Sequence, residues 1–246
     1  MLVSKIVMQL FKFNNTNRKP ELTQQILSLH IPKTAGTSFA EILKKVYGET
    51  AVQSLHIQPL KEQGDWRVIQ KDEIITPDQI RGEEPVVHGH FHYQVLQKYA
   101  PELTERPIIT WLRHPVERVA SAYRYADKIY RTELSETHPR LNILNSLKRN
   151  LMEYSSIPFN QNLMSKMLSG TALEELFFVG IVEHFEEDLA YLSAKLGWKG
   201  YPVVHSNRTK RAPLKPFQED AIARWNAKDM ELYERAVELR KQRPAL

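Results

Sequence analysis

The 246-residue chain contains no cysteine. Disulfides, thiolate nucleophiles and cysteine-ligated metals are thereby excluded, and the composition is most natural in a reducing compartment; a cytoplasmic location is expected. A long apolar run is also lacking. The stretch from Leu2 to Phe13 is short and interrupted by Lys5 and Lys12, with no small-residue cleavage site, so it reads as a packed or frayed terminal segment, and no stable membrane insertion is expected. Internal repeats and low-complexity segments are missing. So is the order G-x-x-x-x-G-K-[ST] of the ATP-type phosphate loop. The nearest candidate places Lys33 three residues before Gly36, which does not fit a standard kinase or ATPase.

What remains is a composition of 42% hydrophobic and 26% charged residues, that of a globular protein with a sizeable core. Asn14 to Pro20 is polar and turn-forming, so residues 1–21 are read as an N-terminal extension and 22–246 as one domain. A net charge of +5 favours anionic ligands, among them nucleotides, acidic or sulfated glycans and nucleic acid. Charge alone does not choose between them.

Residues 26–31 are β-prone, Pro32 and Gly36 punctuate the chain, and 39–46 suit a helix with Gly48 as its stop. Further strands are expected at 51–57, 66–70, 85–90, 106–113 and 176–182, and helices at 93–99, 115–131 and 185–196. Between them, Leu141, Leu144, Leu147 and Leu151, then Leu163, Met167 and Leu168, fall at helical spacing and read as core. Strands alternating with helices predict a single α/β domain with a central, mostly parallel sheet covered on both faces. Functional loops then lie at the carboxyl ends of the strands, which would bring 32–38, 88–92 and 113–121 to one edge.

Two of those loops carry anion chemistry. Backbone N–H groups after the first strand, at the start of a helix, have no internal partners and face where an anion can sit; Lys33, Thr37 and Ser38 add charge and hydroxyls. The plain alternative is an ordinary strand-to-helix turn with a solvated lysine. In the second loop Arg113 ends a strand, and Arg118 and Ser121 follow one turn apart on a helix, a spacing suited to a second phosphate. There the alternative is a solvated Arg118 and a packing Ser121.

The pair IPKTAGTS (31–38) and RHPVERVASAY (113–123) resembles the two nucleotide-binding motifs of sulfotransferases that use 3′-phosphoadenosine 5′-phosphosulfate, most closely the carbohydrate type that includes the heparan sulfate 2-O- and 6-O-sulfotransferases and bacterial relatives. The likeness continues through HGHF (88–91), NLMSKMLSG (162–170), FVGIVEHFEEDLAYL (178–192), HSNRTKRAP (205–213) and DMELYERA (229–236). It implies a P-loop-like sulfotransferase fold, with Lys33 on the bridging and sulfuryl oxygens, Thr34, Ala35, Gly36, Thr37 and Ser38 in the loop around the 5′ end, and Arg113 and Ser121 on the 3′-phosphate. Asn207, Arg208, Thr209 and Lys210 match a loop that closes over the nucleotide. The family's histidine base matches His90, with His88 a helper or a structural histidine; His92 stands where many relatives have proline and is a third candidate. No metal is implied. The implied partner is a hydroxyl-bearing glycan, glycolipid or natural product and not nucleic acid, with the basic 124–160 region (Tyr125, Lys128, Tyr130, Arg131, Lys148) as an acceptor cleft. Two other readings stand beside this one: a kinase-like nucleotide phosphotransferase, and a non-catalytic module that grips anionic glycan or nucleic acid.

Overall fold

The computed structural model describes residues 24–59, 66–132, 150–202 and 213–245, with the backbone alone for 129–132. The expected extension at 1–21, the apolar series Leu141, Leu144 and Leu147, and the 205–212 loop lie outside the described residues.

Seven strands form one sheet: β1 (Ile26–Leu29), β2 (Val52–Pro59), β3 (Trp66–Gln70), β4 (Glu73–Ile75), β5 (Val86–Gly89), β6 (Ile108–Leu112) and β7 (Phe178–Ile181), in the order β4-β3-β2-β5-β1-β6-β7. From β2 to β7 every pairing is parallel, while β3 and β4 add an antiparallel edge. Each residue of β1, β5, β6 and β7 is buried, because parallel strands joined by helical crossovers are covered on both faces and therefore read as continuous apolar runs. β2 alternates between half-buried and buried positions from Val52 to Ile57, and its last two residues, Gln58 and Pro59, are exposed.

The helices are α1 (Gly36–Tyr47), α2 (Tyr93–Tyr99), α3 (Pro101–Thr104), α4 (Pro115–Thr132), α5 (Leu151–Ser156), α6 (Leu163–Met167), α7 (Phe185–Lys195), α8 (Pro216–Trp225) and α9 (Ala227–Lys241). Alternate residues of β1 feed two cores. Leu27 and Leu29 pack with Leu96, Met164, Met167 and Ala236 on the face under α2, α6 and α9. Ile26 packs with Phe39, Ile42, Trp111 and Leu189 under α1 and α7. Among the described residues no helix is long and apolar enough to cross a membrane.

Arg118 departs from both readings its sequence context offered. It is neither solvated nor turned toward an anion site: its side chain is 2% exposed, with Nε 4.0 Å from Asp229 Oδ2, and its Nη2 donates to the Asn160 carbonyl at 3.0 Å. The reason is tertiary, since α4 packs against α9, where Asp229 is fully buried. Asp229 in turn accepts from Met164 N, Ser165 N and Ser165 Oγ at 3.2, 2.8 and 2.7 Å, closing the start of α6. One carboxylate thus locks α4, α6 and α9 together. Asp229→Ala removes the counter-charge of a buried guanidinium and leaves two backbone N–H groups without their acceptor, and is expected to cost about 3 kcal/mol and to lower Tm by roughly 6–12 °C. Calorimetric melting of the variant checks this; a loss under about 1 kcal/mol would contradict the locking role.

Candidate active site

β1 runs on through His30 and Ile31 into a loop that the side chains themselves tighten. Thr34 is buried, its Oγ1 donating to the Ile31 carbonyl at 2.8 Å and its N–H to the same oxygen at 3.3 Å. Lys33 and Ala35 take left-handed φ angles of 71° and 63°, strain that non-glycine residues tolerate only where the surroundings hold it. Ala35 is the N-cap of α1 and offers no capping side chain, and the first turn contains no acidic residue. The N-terminal N–H groups of a 12-residue helix, with its dipole, are thus aimed out of the fold beside Lys33. Gly36 is required by a close approach, because a Cβ there would overlap the His30 ring.

The loop opens onto a cavity of about 440 Å³ whose walls include Pro32, Lys33, Ala35, Gly36, Thr37 and Ser38 from the first motif, His90 after β5, and Arg113 and Ser121 from the second motif. The volume falls in the range of small-ligand sites. Arg113 crosses between the motifs: Nη1 donates to the Lys33 carbonyl at 3.5 Å and Nη2 to Glu117 Oε2 at 3.2 Å. Of the residues singled out from sequence and described, Thr34, His88, His92, Arg118 and Lys128 do not line the cavity. Thr34 is committed to Ile31. His88 is buried, its Nδ1 2.8 Å from Ser28 Oγ. His92 Nδ1 donates to the Lys166 carbonyl at 3.3 Å, and its ring lies 5.1 Å from that of Trp66. Asn207, Arg208, Thr209, Lys210, Lys148 and the side chains of Tyr130 and Arg131 are outside the described residues.

Four histidines gather at the sheet edge, two of which sequence reasoning did not single out. Strand register explains it. Ser28, His88 and Ser54 are in register across β1, β5 and β2, so the residues two further on, His30, His90 and His56, emerge side by side. Ring centroids are 4.1 Å apart for His30–His90 and 5.3 Å for His56–His90. Hydrogen bonds fix the tautomers: a carbonyl only accepts, so His90 Nδ1 carries the proton it donates to His30 O at 2.6 Å, leaving the Nε2 lone pair available. His56 Nδ1 accepts from His90 N at 3.4 Å. Burial, first of all, lowers the pKa of each: His30 to about 2 and His88 to about 3, with neighbouring histidines adding to the effect, and His90 and His56 below the usual 6.5. His90 is therefore a neutral imidazole with a free nitrogen at neutral pH.

The family model described as "Sulfotransferase family" matches residues 20–235. The chain belongs to the sulfotransferase family. It is accordingly an enzyme of sulfuryl transfer, and the mostly parallel sheet flanked by helices is a sulfotransferase fold. Among solved structures, a sulfotransferase from Alicyclobacillus acidocaldarius aligns over 87% of this chain and 95% of its own, at 16% identity and a TM-score of 0.50. Mouse sulfotransferase SULT7A1, complexed with PAP, aligns over 82% of this chain and 63% of its own, at 16% identity and a TM-score of 0.40. No curated protein matches the chain by sequence. His30, Tyr125 and Tyr154 also line this sulfotransferase's cavity; of these only Tyr125 carried a sequence signal, as part of the basic helical stretch.

Proposed function

We propose that the chain transfers a sulfuryl group from 3′-phosphoadenosine 5′-phosphosulfate to a hydroxyl of a carbohydrate or other small acceptor. The observation that carries this reading is the meeting of two cationic ends in one cavity: the uncapped α1 N-terminus with Lys33, and Arg113 with Ser121. A ligand with two separated phosphate-like groups suits that donor set, and backbone N–H groups, an ammonium, a guanidinium and hydroxyls are the chemistry such groups require.

The co-substrate supplies the sulfuryl group, and the chain's residues do the rest. Gly36, Thr37 and Ser38 hold the 5′ end on the helix N-terminus, with Thr34 and Ala35 shaping the loop. Arg113 and Ser121 take the 3′-phosphate, and Asn207, Arg208, Thr209 and Lys210 close over the nucleotide. His90 Nε2 removes the proton of the acceptor hydroxyl as the new S–O bond forms, while Lys33 stabilises the negative charge that gathers on the departing phosphate oxygen as the old S–O bond breaks. His88, held by Ser28 and with its ring 5.2 Å from that of His30, supports the histidine row from within the sheet. The reading gives no role to a metal, since Lys33 and Arg113 supply the cationic charge. The carbohydrate assignment is supported by HGHF at 88–91 and NLMSKMLSG at 162–170, which resemble the carbohydrate-type enzymes. The test is nucleotide selectivity: the product nucleotide, 3′-phosphoadenosine 5′-phosphate, is expected to bind without magnesium and in preference to ATP.

A further inference from the structure

Lys33 enters the cavity from a backbone whose place is set: its φ is 71° and its carbonyl receives Arg113 Nη1 at 3.5 Å. Its four-carbon stem is not set by the backbone, and an ammonium on such a stem is spread over many rotamers unless something receives it. Its Nζ lies 4.0 Å from the centroid of the Tyr125 ring, within the reach of a cation–π contact. Tyr125 sits on α4 one turn beyond Ser121, and both line the cavity. Tyr125 as a residue is 54% exposed, so core packing does not explain an aromatic side chain here.

We propose that Tyr125 is the positioning residue for Lys33, its ring face holding the ammonium over the cavity so that Lys33 meets the transferring group already oriented. The inference rests on the sulfuryl-transfer role given to Lys33 above. The π face does the holding and the phenol hydroxyl is dispensable. The same helix then sets both ends of the site, Ser121 for one anion and Tyr125 for the lysine that serves the other.

The full chain is compared as wild type, Tyr125→Phe and Tyr125→Leu. Limiting acetic anhydride followed by peptide mass spectrometry reads the reactivity of Lys33 against exposed Lys199; titration reads the Kd of 3′-phosphoadenosine 5′-phosphate, and steady-state assays read kcat and KM. Tyr125→Leu is expected to label Lys33 about three- to tenfold faster and to lose about three- to tenfold in kcat, with Kd and nucleotide KM within about twofold of wild type, whereas Tyr125→Phe matches wild type throughout. Unchanged labelling or wild-type kcat in Tyr125→Leu overturns the proposal. So does a Phe variant as impaired as the Leu variant, or weakened nucleotide binding with kcat intact, which would make the ring a nucleotide platform. If the wild type neither binds the nucleotide nor transfers sulfate, the reaction assigned above fails, and the labelling arm still decides whether Tyr125 holds Lys33.

Discussion

Lys33→Ala is expected to lower kcat by roughly 10²–10³-fold, the usual loss when a group aimed at developing transition-state charge is removed. Stability should hardly change. The side chain leads into a cavity and not into the core, and alanine carries the same Cβ as lysine, so the left-handed φ of 71° is no more strained after the substitution than before it. Nor should the loop collapse, because its shape rests on Thr34, both of whose donors go to the Ile31 carbonyl, and on Arg113, which reaches the backbone oxygen of residue 33 and not its side chain. Single-turnover assays paired with thermal melts separate the effects. A Lys33→Ala enzyme within tenfold of wild type would remove Lys33 from the chemistry.

His90→Ala is expected to lose about 10²–10⁴-fold in kcat, the range associated with general base catalysis, while nucleotide binding persists because the groups proposed to hold the phosphates belong to other residues. Its pH profile carries a sign. The base works only as neutral imidazole, and burial holds the imidazolium form back, so the pKa lies below the usual 6.5. The acidic limb of the activity profile is expected to have its midpoint below 6.5. An acidic limb centred above 6.5, or one that persists unchanged in His90→Ala, would place the titrating base elsewhere.

The fold was legible where local pattern and tertiary environment agree. Ile108–Leu112 is apolar at nearly every position because it is buried on both faces, and Pro115 opens α4 directly after it. Glu73–Ile75 was not legible: it is three residues long, Ile74 is 68% exposed, and its place comes only from antiparallel pairing with β3. The site divided in the same way. The residues of each proposed anion motif, 31–38 and 113–123, are contiguous in sequence, so their types and order could be singled out there. The row of His30, His90 and His56 depends on the register of β1, β5 and β2, which no short stretch encodes. Arg118 illustrates the opposite failure. Its spacing from Ser121 fits an anion site, but a buried carboxylate more than a hundred residues later in the chain, Asp229, draws its guanidinium inward. Tyr125 was visible as part of a basic helical stretch; that its ring meets Lys33 is set by the placement of α4 against the Pro32–Ser38 loop.

The central claim, a clamp for a nucleotide phosphorylated at both ends, is tested most directly by isothermal titration with 3′-phosphoadenosine 5′-phosphate against ATP with magnesium, on wild type and Arg113→Ala. The account predicts that wild type binds the former in preference to the latter, and that Arg113→Ala loses about tenfold or more of that affinity, as expected when a charge-assisted contact to phosphate is removed. Equal or better binding of magnesium ATP, or an Arg113→Ala affinity unchanged from wild type, would contradict it.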